Sequence, residues 1–246
     1  MVFESYSRYY NLLYRDKNYS LEANYVKSLL TQYSSQAESL LEFGCGTGIH
    51  AHILKNFGYQ IEGVDLSEEM LKIARKNYPD IPFHHGDIRK INLGKKFDAV
   101  ISIFHVFSYQ TTNEDLFNTF LSAASHLKEG GVLIFDCWYG PGVISDKPQV
   151  RVKRLEDEEI SVCRIAEPII YPNKNIVDVN YTVTIKDKKT EIINELKETH
   201  QMRYLFSPEI AFFCQKAGLD LQATLNWLKT DEPDFQSWNA CFIAKK

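Results

Sequence analysis

Short apolar runs alternate with amphipathic stretches over the first 140 residues. The opening 35 residues read as helical. Tyr10, Leu13 and Tyr14, then Tyr25, Val26, Leu29 and Leu30, recur every three or four positions around the polar break Arg15-Asp16-Lys17-Asn18. Ser39–Phe43 predicts a first strand running into glycines. Ile49–Phe57 predicts a helix closed by Gly58, and Gln60–Asp65 a second strand. Ser67 is placed to cap a helix to Asn77, with Glu68 and Glu69 in the first turn, where the helix dipole favours acids. Ile81–His84 reads as a third strand. Phe97–Phe104 reads as a fourth, apolar enough to be covered on both faces. A helix over Asn113–Leu127, ended by Gly130-Gly131, leads to a fifth strand, Val132–Asp136.

Strands alternating with helices imply a parallel sheet with right-handed crossovers. After Gly140-Pro-Gly142 the period changes to two. Segments 149–155, 160–166, 176–187 and 190–204 predict an antiparallel meander. Ile176, Asp178, Asn180, Thr182 and Thr184 share one face; Val177, Val179, Tyr181, Val183 and Ile185 share the other. Pro208 and Gly218 bracket a last helix, and strands near 219–227 and 238–244 rejoin the first sheet. The expected fold is α/β: a Rossmann-like, doubly wound, mostly parallel sheet with an antiparallel β insert and an N-terminal helical segment. Residues 1–140 and 205–246 make one domain; 141–204 make the insert, a cap or dimerisation element.

The 246 residues are 44% hydrophobic and 24% charged, enough for an ordinary folded core. No apolar run is long enough for a membrane helix. The N-terminus lacks a signal-peptide pattern, so the cytoplasm is the expected location. A net charge of −4 argues against a nucleic-acid partner. The five cysteines include no Cys-x-x-Cys pair, and no metal-ligand spacing is evident.

The chemistry concentrates at strand ends. Gly44-Cys45-Gly46-Thr47-Gly48 joins a buried strand to a helix, letting backbone approach a ligand beside free helix N–H groups. A dinucleotide fingerprint would need glycine at position 49, where Ile49 stands, and the Lys-Ser/Thr of a phosphate loop is missing. Asp65, ending the second strand, is placed to accept both hydroxyls of a ribose. In His85-Gly86-Asp87-Ile88, the Asp87 carboxylate can accept from an exocyclic amino group while the Ile88 N–H donates to a ring nitrogen. Each acid also has a plain alternative, capping a helix or solvating a loop.

Four motifs in order, Leu41-Glu-Phe-Gly-Cys-Gly-Thr-Gly48, Glu62-Gly-Val-Asp-Leu-Ser-Glu-Glu-Met70, His85-Gly-Asp-Ile88 and Phe97-Asp-Ala-Val100, resemble the class I S-adenosylmethionine-dependent methyltransferases over roughly residues 38–138. The resemblance implies S-adenosyl-L-methionine as cofactor and S-adenosyl-L-homocysteine as product. It sets the Gly44–Gly48 turn by the methionine part, Glu42 at the amino group, Asp65 on the ribose, Leu66 and Met70 beside the adenine, and Gly86, Asp87 and Ile88 at its polar edge. A narrower similarity, carried by the Tyr10…Tyr19 segment, His50, Leu93-Gly-Lys-Lys-Phe97, Cys137-Trp-Tyr and the insert, is to bacterial sugar-nucleotide N-methyltransferases. It implies a nucleotide-linked amino-sugar as the small-molecule partner, with the enzyme a monomer or homodimer, and adds Tyr10, Tyr19, His50 and Ser102 to the cofactor set. Tyr109 stands where that family often has histidine, and Ser237-Trp-Asn-Ala-Cys241 lacks its arginine.

Methyl transfer from a sulfonium is an in-line displacement that gains most from positioning and a dry pocket. The acceptor must present a lone pair, so a base helps; His105, Tyr109 and His200 are the candidates. Phe104, Trp138 and Tyr139 are candidate walls of the acceptor pocket, and Arg151 and Arg203 candidate contacts to an anionic acceptor. Three other readings compete. One is a methyltransferase of another small metabolite. The second, a nucleic-acid methyltransferase, lacks proline after Ser102. The third, an NAD-dependent oxidoreductase, lacks the third glycine.

Overall fold

The computed structural model describes residues 12–246, so the expectation for Tyr10 lies outside the described residues. The chain runs α1 (Tyr19–Tyr33), β1 (Ser39–Phe43), α2 (Ile49–Asn56), β2 (Gln60–Asp65), α3 (Glu68–Asn77), β3 (Phe83–His85) and β4 (Phe97–Ser102), then a 3-10 turn (Val106–Tyr109). It continues through α4 (Asn113–His126), β5 (Leu127–Trp138), α5 (Gly140–Ser145), β6 (Arg151–Glu156), β7 (Ile160–Tyr171), β8 (Ile176–Asp187) and β9 (Ile193–Arg203). A short 3-10 turn (Pro172–Lys174) links β7 to β8. Helix α6 (Ser207–Lys216) and strands β10 (Asp220–Asn226) and β11 (Asn239–Lys245) complete it.

One sheet has seven strands in the order β10-β11-β5-β4-β1-β2-β3. The β1–β2, β1–β4, β2–β3 and β4–β5 pairs are parallel, and β11 is antiparallel to both neighbours. The strand order reverses at β1, with β2 on one side and β4 on the other, which opens a crevice at their carboxyl ends. The pleat sorts β1 between two cores. Leu41 and Phe43 face a layer containing Phe120 and Phe213 from α4 and α6; Leu40 faces one containing Val26, Leu54 and Leu71 from α1, α2 and α3. Asn18, Ser67 and Thr112 cap α1, α3 and α4 with side-chain oxygens.

The second sheet is the antiparallel β6-β7-β8-β9. Its inner face packs across the carboxyl edge of the first. Val162, Val183 and Ile185 join Leu12, Leu13 and Met70 in one cluster; Val177, Val179 and Met202 join Val143 and Tyr204 in another, against which Tyr109 and Trp138 pack.

Several boundaries differ from those expected, among them β7, which runs to Tyr171 where 166 was expected because it stays paired with β8 throughout. β3 starts later, at Phe83, because its register is set by pairing with Gly63–Asp65. β4 ends at Ser102, since Phe104 and His105 turn left-handed, with φ of 72° and 65°. β5 begins at Leu127, through Gly130-Gly131, because the C-terminal Lys246 pairs with both glycines. Gly140-Pro-Gly142, expected only as a break, opens the short helix α5, proline taking a first-turn position that needs no N–H partner.

Phe135 of β5 is fully buried, stacked on Phe107 at 4.0 Å and Phe242 at 5.4 Å, with Phe120 edge-on at 5.5 Å. Phe135→Ala removes the centre of this column. It is expected to lower unfolding free energy by about 3–5 kcal/mol in urea titrations; an unchanged midpoint would show that the column does not hold β5 to the 3-10 turn.

Candidate active site

The glycine turn is built by alternating left-handed residues. Gly44, Gly46 and Gly48 have φ of 72°, 54° and 78°. A Cβ on Gly44 would lie 2.4 Å from Val106 Cγ2, whereas one on Gly46 would meet nothing within 4 Å. Gly44 therefore packs tightly while Gly46 borders open space. Asp65 ties this turn to α3: one carboxylate oxygen accepts from Gly46 N–H at 2.8 Å, the other from Ser67 N–H at 2.8 Å. Burial pushes the Asp65 carboxyl up, against the pull of these backbone donors.

Glu42, 1% exposed, lies beneath the turn. Burial, with the nearby Asp65 charge, pushes its carboxyl up to about 8. Its Oε2 has no hydrogen-bond partner among the described residues. Glu42 Oε1 is 3.8 Å from His50 Nδ1, and His50 Nε2 is 2.7 Å from Glu22 Oε2. Lys17 Nζ pairs with Glu22 at 2.8 Å and stands 3.6 Å over the Phe104 ring. Burial lowers the Lys17 ammonium and the His50 imidazole, though the acids around them oppose it. Tyr19 packs on His50, ring centres 5.0 Å apart. This is an acid-rich nest at the strand tips whose described ammonium comes from the N-terminal segment. A buried carboxyl with an unfilled oxygen beside an open glycine fits a ligand that brings a positive charge and donors. The residues present therefore suit a sulfonium cofactor bearing an ammonium group.

The left-handed pair Phe104-His105 follows β4. His105 N–H donates to Asp136 Oδ1 at 2.9 Å, and His105 Nδ1 lies 2.6 Å from Asp136 Oδ2. Asp136, fully buried near the end of β5, thus holds the backbone of a residue in a costly conformation and lies against its ring. Tyr109 ends the 3-10 turn, and its hydroxyl is 2.7 Å from His200 Nδ1 on β9. The two were separate candidates in sequence; the structure brings them together. Phe104 packs edge-on to Tyr14, and Trp138 edge-on to Trp238. Tyr139 is half-buried beside them, its N–H on Trp238 O.

Several expected contacts are used elsewhere. Ser102 is fully buried and its hydroxyl donates to Phe43 O, so it clamps β4 to β1 instead of facing the crevice. Arg203 is drawn to Glu209 and Asn113 at the starts of α6 and α4. Arg151 is exposed on the edge strand β6. Both oxygens of Asp87 accept from Arg89, which also reaches Asp115, so this carboxylate is engaged as an ion pair and lowered by the guanidinium. Gly86 faces Ile91, and Ile88, Cys45 and Thr47 are buried. Met70 packs with the insert, while Leu66 is 51% exposed at the mouth of the crevice. Sequence reasoning missed Lys17, Glu22 and Asp136. Asp136 carries the same signal that marked Asp65, an acid at the tip of an apolar strand. Lys17 sat in a run read as a polar break, and Glu22 carried no signal.

Residues 40–131 match the methyltransferase domain family. The chain is 33% identical over 216 residues to the dTDP-3-amino-3,4,6-trideoxy-alpha-D-glucopyranose N,N-dimethyltransferase of Streptomyces venezuelae, covering 87% of this chain and 89% of that protein. The crystal structure of Streptomyces venezuelae DesVI superposes with a TM-score of 0.81 at 29% identity over 97% of each chain. CalS10 from Micromonospora echinaspora, an amino pentose methyltransferase, shares the fold with a TM-score of 0.78 at 24% identity, over 100% of this chain and 98% of its own. The chain therefore belongs to the class I S-adenosylmethionine-dependent methyltransferases, is sugar N-methyltransferase-like, and transfers a methyl group from that cofactor to a small-molecule acceptor.

Proposed function

We propose that the acceptor is the amine of a nucleotide-linked deoxysugar. The observation that carries this reading is the 33% identity to an enzyme whose name states such a substrate; two more relatives, 29% and 30% identical, are named for dTDP-amino-sugar N,N-dimethylation. The placement of aromatic and histidine side chains agrees with it. Phe104, Trp138 and Tyr139 line the strand tips beneath the insert, a setting that suits a sugar ring and excludes water. Residues 141–204 then act as a cap over the acceptor, and residues 1–140 and 205–246 as the cofactor-binding domain.

Bound S-adenosylmethionine supplies a methyl group on positively charged sulfur. In this reading the chain's own residues bind and aim. The open side of Gly46 admits the methionine part, and Glu42 takes its amino group on the unpartnered oxygen. Asp65, already holding the turn, accepts the ribose hydroxyls with its remaining lone pairs. Leu66 and Met70 flank the adenine. The Ile88 N–H is left to read its polar edge, since Asp87 is engaged by Arg89. His105, held by Asp136, and the Tyr109–His200 pair are the groups placed to accept a proton.

Incubating the enzyme with labelled cofactor and a panel of nucleotide-linked amino- and hydroxy-sugars is expected to label the amines. Labelling confined to hydroxyls or to other metabolites would refute the assignment. Asp65→Ala is expected to weaken S-adenosylmethionine at least about tenfold, roughly 1.4 kcal/mol, by calorimetry; equal affinity would remove its ribose role.

Glu42 gives a pH dependence. Its carboxyl, near 8 in the free protein, must ionise to meet an ammonium, so binding releases a proton. Cofactor affinity should rise from about pH 6 to pH 8 and level above, and Glu42→Gln should flatten that rise. A flat wild-type profile would place the ammonium elsewhere.

A further inference from the structure

β9 brings a third group to the Tyr109–His200 pair. Glu198 is two residues before His200 on the strand, so their side chains share the inner face. Glu198 Oε2 lies 3.5 Å from His200 Nε2, with the two side chains 9% and 5% exposed. In the tautomer with its proton on Nε2, the ring donates toward this carboxylate and Nδ1 accepts from the Tyr109 hydroxyl at 2.7 Å. Tyr181 of β8 pairs with Glu198 across the sheet and packs edge-on to the His200 ring, centres 5.0 Å apart, which fixes the ring. The turn that ends in Tyr109 follows β4 at the carboxyl edge of the parallel sheet, and Tyr109 packs against Val177, Val179 and Met202 of the insert. The hydroxyl therefore stands between the cofactor crevice and the insert.

We propose that Glu198, His200 and Tyr109 form a chain that removes a proton from the acceptor's ammonium group, with Glu198 the positioning residue; this rests on the amine reading above. An amino-sugar is mostly an ammonium ion at neutral pH, and an ammonium nitrogen has no lone pair to attack a methyl group. Its N–H proton passes to the Tyr109 oxygen as the Tyr109 O–H proton passes to His200 Nδ1. The amine becomes neutral and His200 becomes an imidazolium, with the Glu198 carboxyl group 3.5 Å from its Nε2. Burial holds the Tyr109 phenol well above its ordinary value, which keeps it a relay and not a stored tyrosinate. Among the described residues, the titratable and charged groups facing the chain are Tyr181 from β8, Arg164 from β7 (4.8 Å from the Tyr181 ring), Tyr14 from the N-terminal segment and Asp65 from β2. His105 is not part of it, since its ring meets Asp136.

The test compares wild type with Glu198→Gln, Glu198→Asp and Tyr109→Phe. Two readouts are used: kcat against pH at saturating amino-sugar nucleotide, and the His200 titration midpoint by nitrogen-15 NMR without acceptor. Losing the carboxylate makes the imidazolium less stable. In Glu198→Gln the NMR midpoint and the acid limb of kcat should therefore both move down by about one pH unit. The kcat plateau should fall about tenfold or more, with unchanged calorimetric affinity for S-adenosylmethionine. Glu198→Asp should recover part of the plateau. Tyr109→Phe should lose a similar factor, and the double variant should lose little more than either single one. An unmoved His200 midpoint in Glu198→Gln, or a plateau loss with an unmoved acid limb and a raised KM, overturns the chain. If wild type methylates no amino-sugar but the His200 midpoint falls as described, the substrate reading fails and the hydrogen-bonded chain stands. If amines are methylated and the midpoint does not move, the chain fails and the substrate reading stands.

Discussion

Buried carboxyl groups at the strand tips organise this molecule. Glu42 of β1, Asp65 of β2 and Asp136 of β5 all lie where the parallel strands end, and water reaches them poorly. An uncompensated carboxylate there is costly, and each neighbour answers to that cost. Backbone donors of the glycine turn and of Ser67 hold Asp65. His105 adopts a left-handed backbone to satisfy Asp136. Lys17 is drawn out of water into the nest beside Glu22. Glu42 retains an oxygen that nothing in the described chain fills.

Much of this was legible in the sequence, and the reason is local. Strand and helix periods, the Ser67 cap and the glycine turn are short-range signals, and each element they define is present. The carboxyl-edge position of Asp65 follows directly from where β2 stops. What stayed hidden depends on long-range packing. His105 read only as a candidate base, because its partner Asp136 is 31 residues away. Tyr109 and His200, 91 residues apart, read as independent until two sheets brought them to hydrogen-bond distance. Arg203 read as an anion contact because a sequence cannot show that Glu209 and Asn113 reach it first. The bond from the Ser102 hydroxyl to the neighbouring strand was hidden for the same reason.

The aromatic column of Phe107, Phe120, Phe135 and Phe242 links these levels. Phe107 belongs to the 3-10 turn that ends in Tyr109. Core packing under the sheet thus fixes the height and direction of a hydroxyl above it. The turn can afford little adjustment, since Val106 is wedged against Gly44 from the other side. Rigidity of this kind suits a displacement that needs three atoms in line.

The bond between Tyr109 and His200 spans two separately hydrogen-bonded sheets. Its donor rides on the parallel half and its acceptor on the antiparallel one. Any small hinge of the upper sheet away from the lower one would part them before it disturbed a single ladder. Proton removal would then be an interlock: an open enzyme could load and unload freely, yet would have no sink for the amine's proton until the roof was seated.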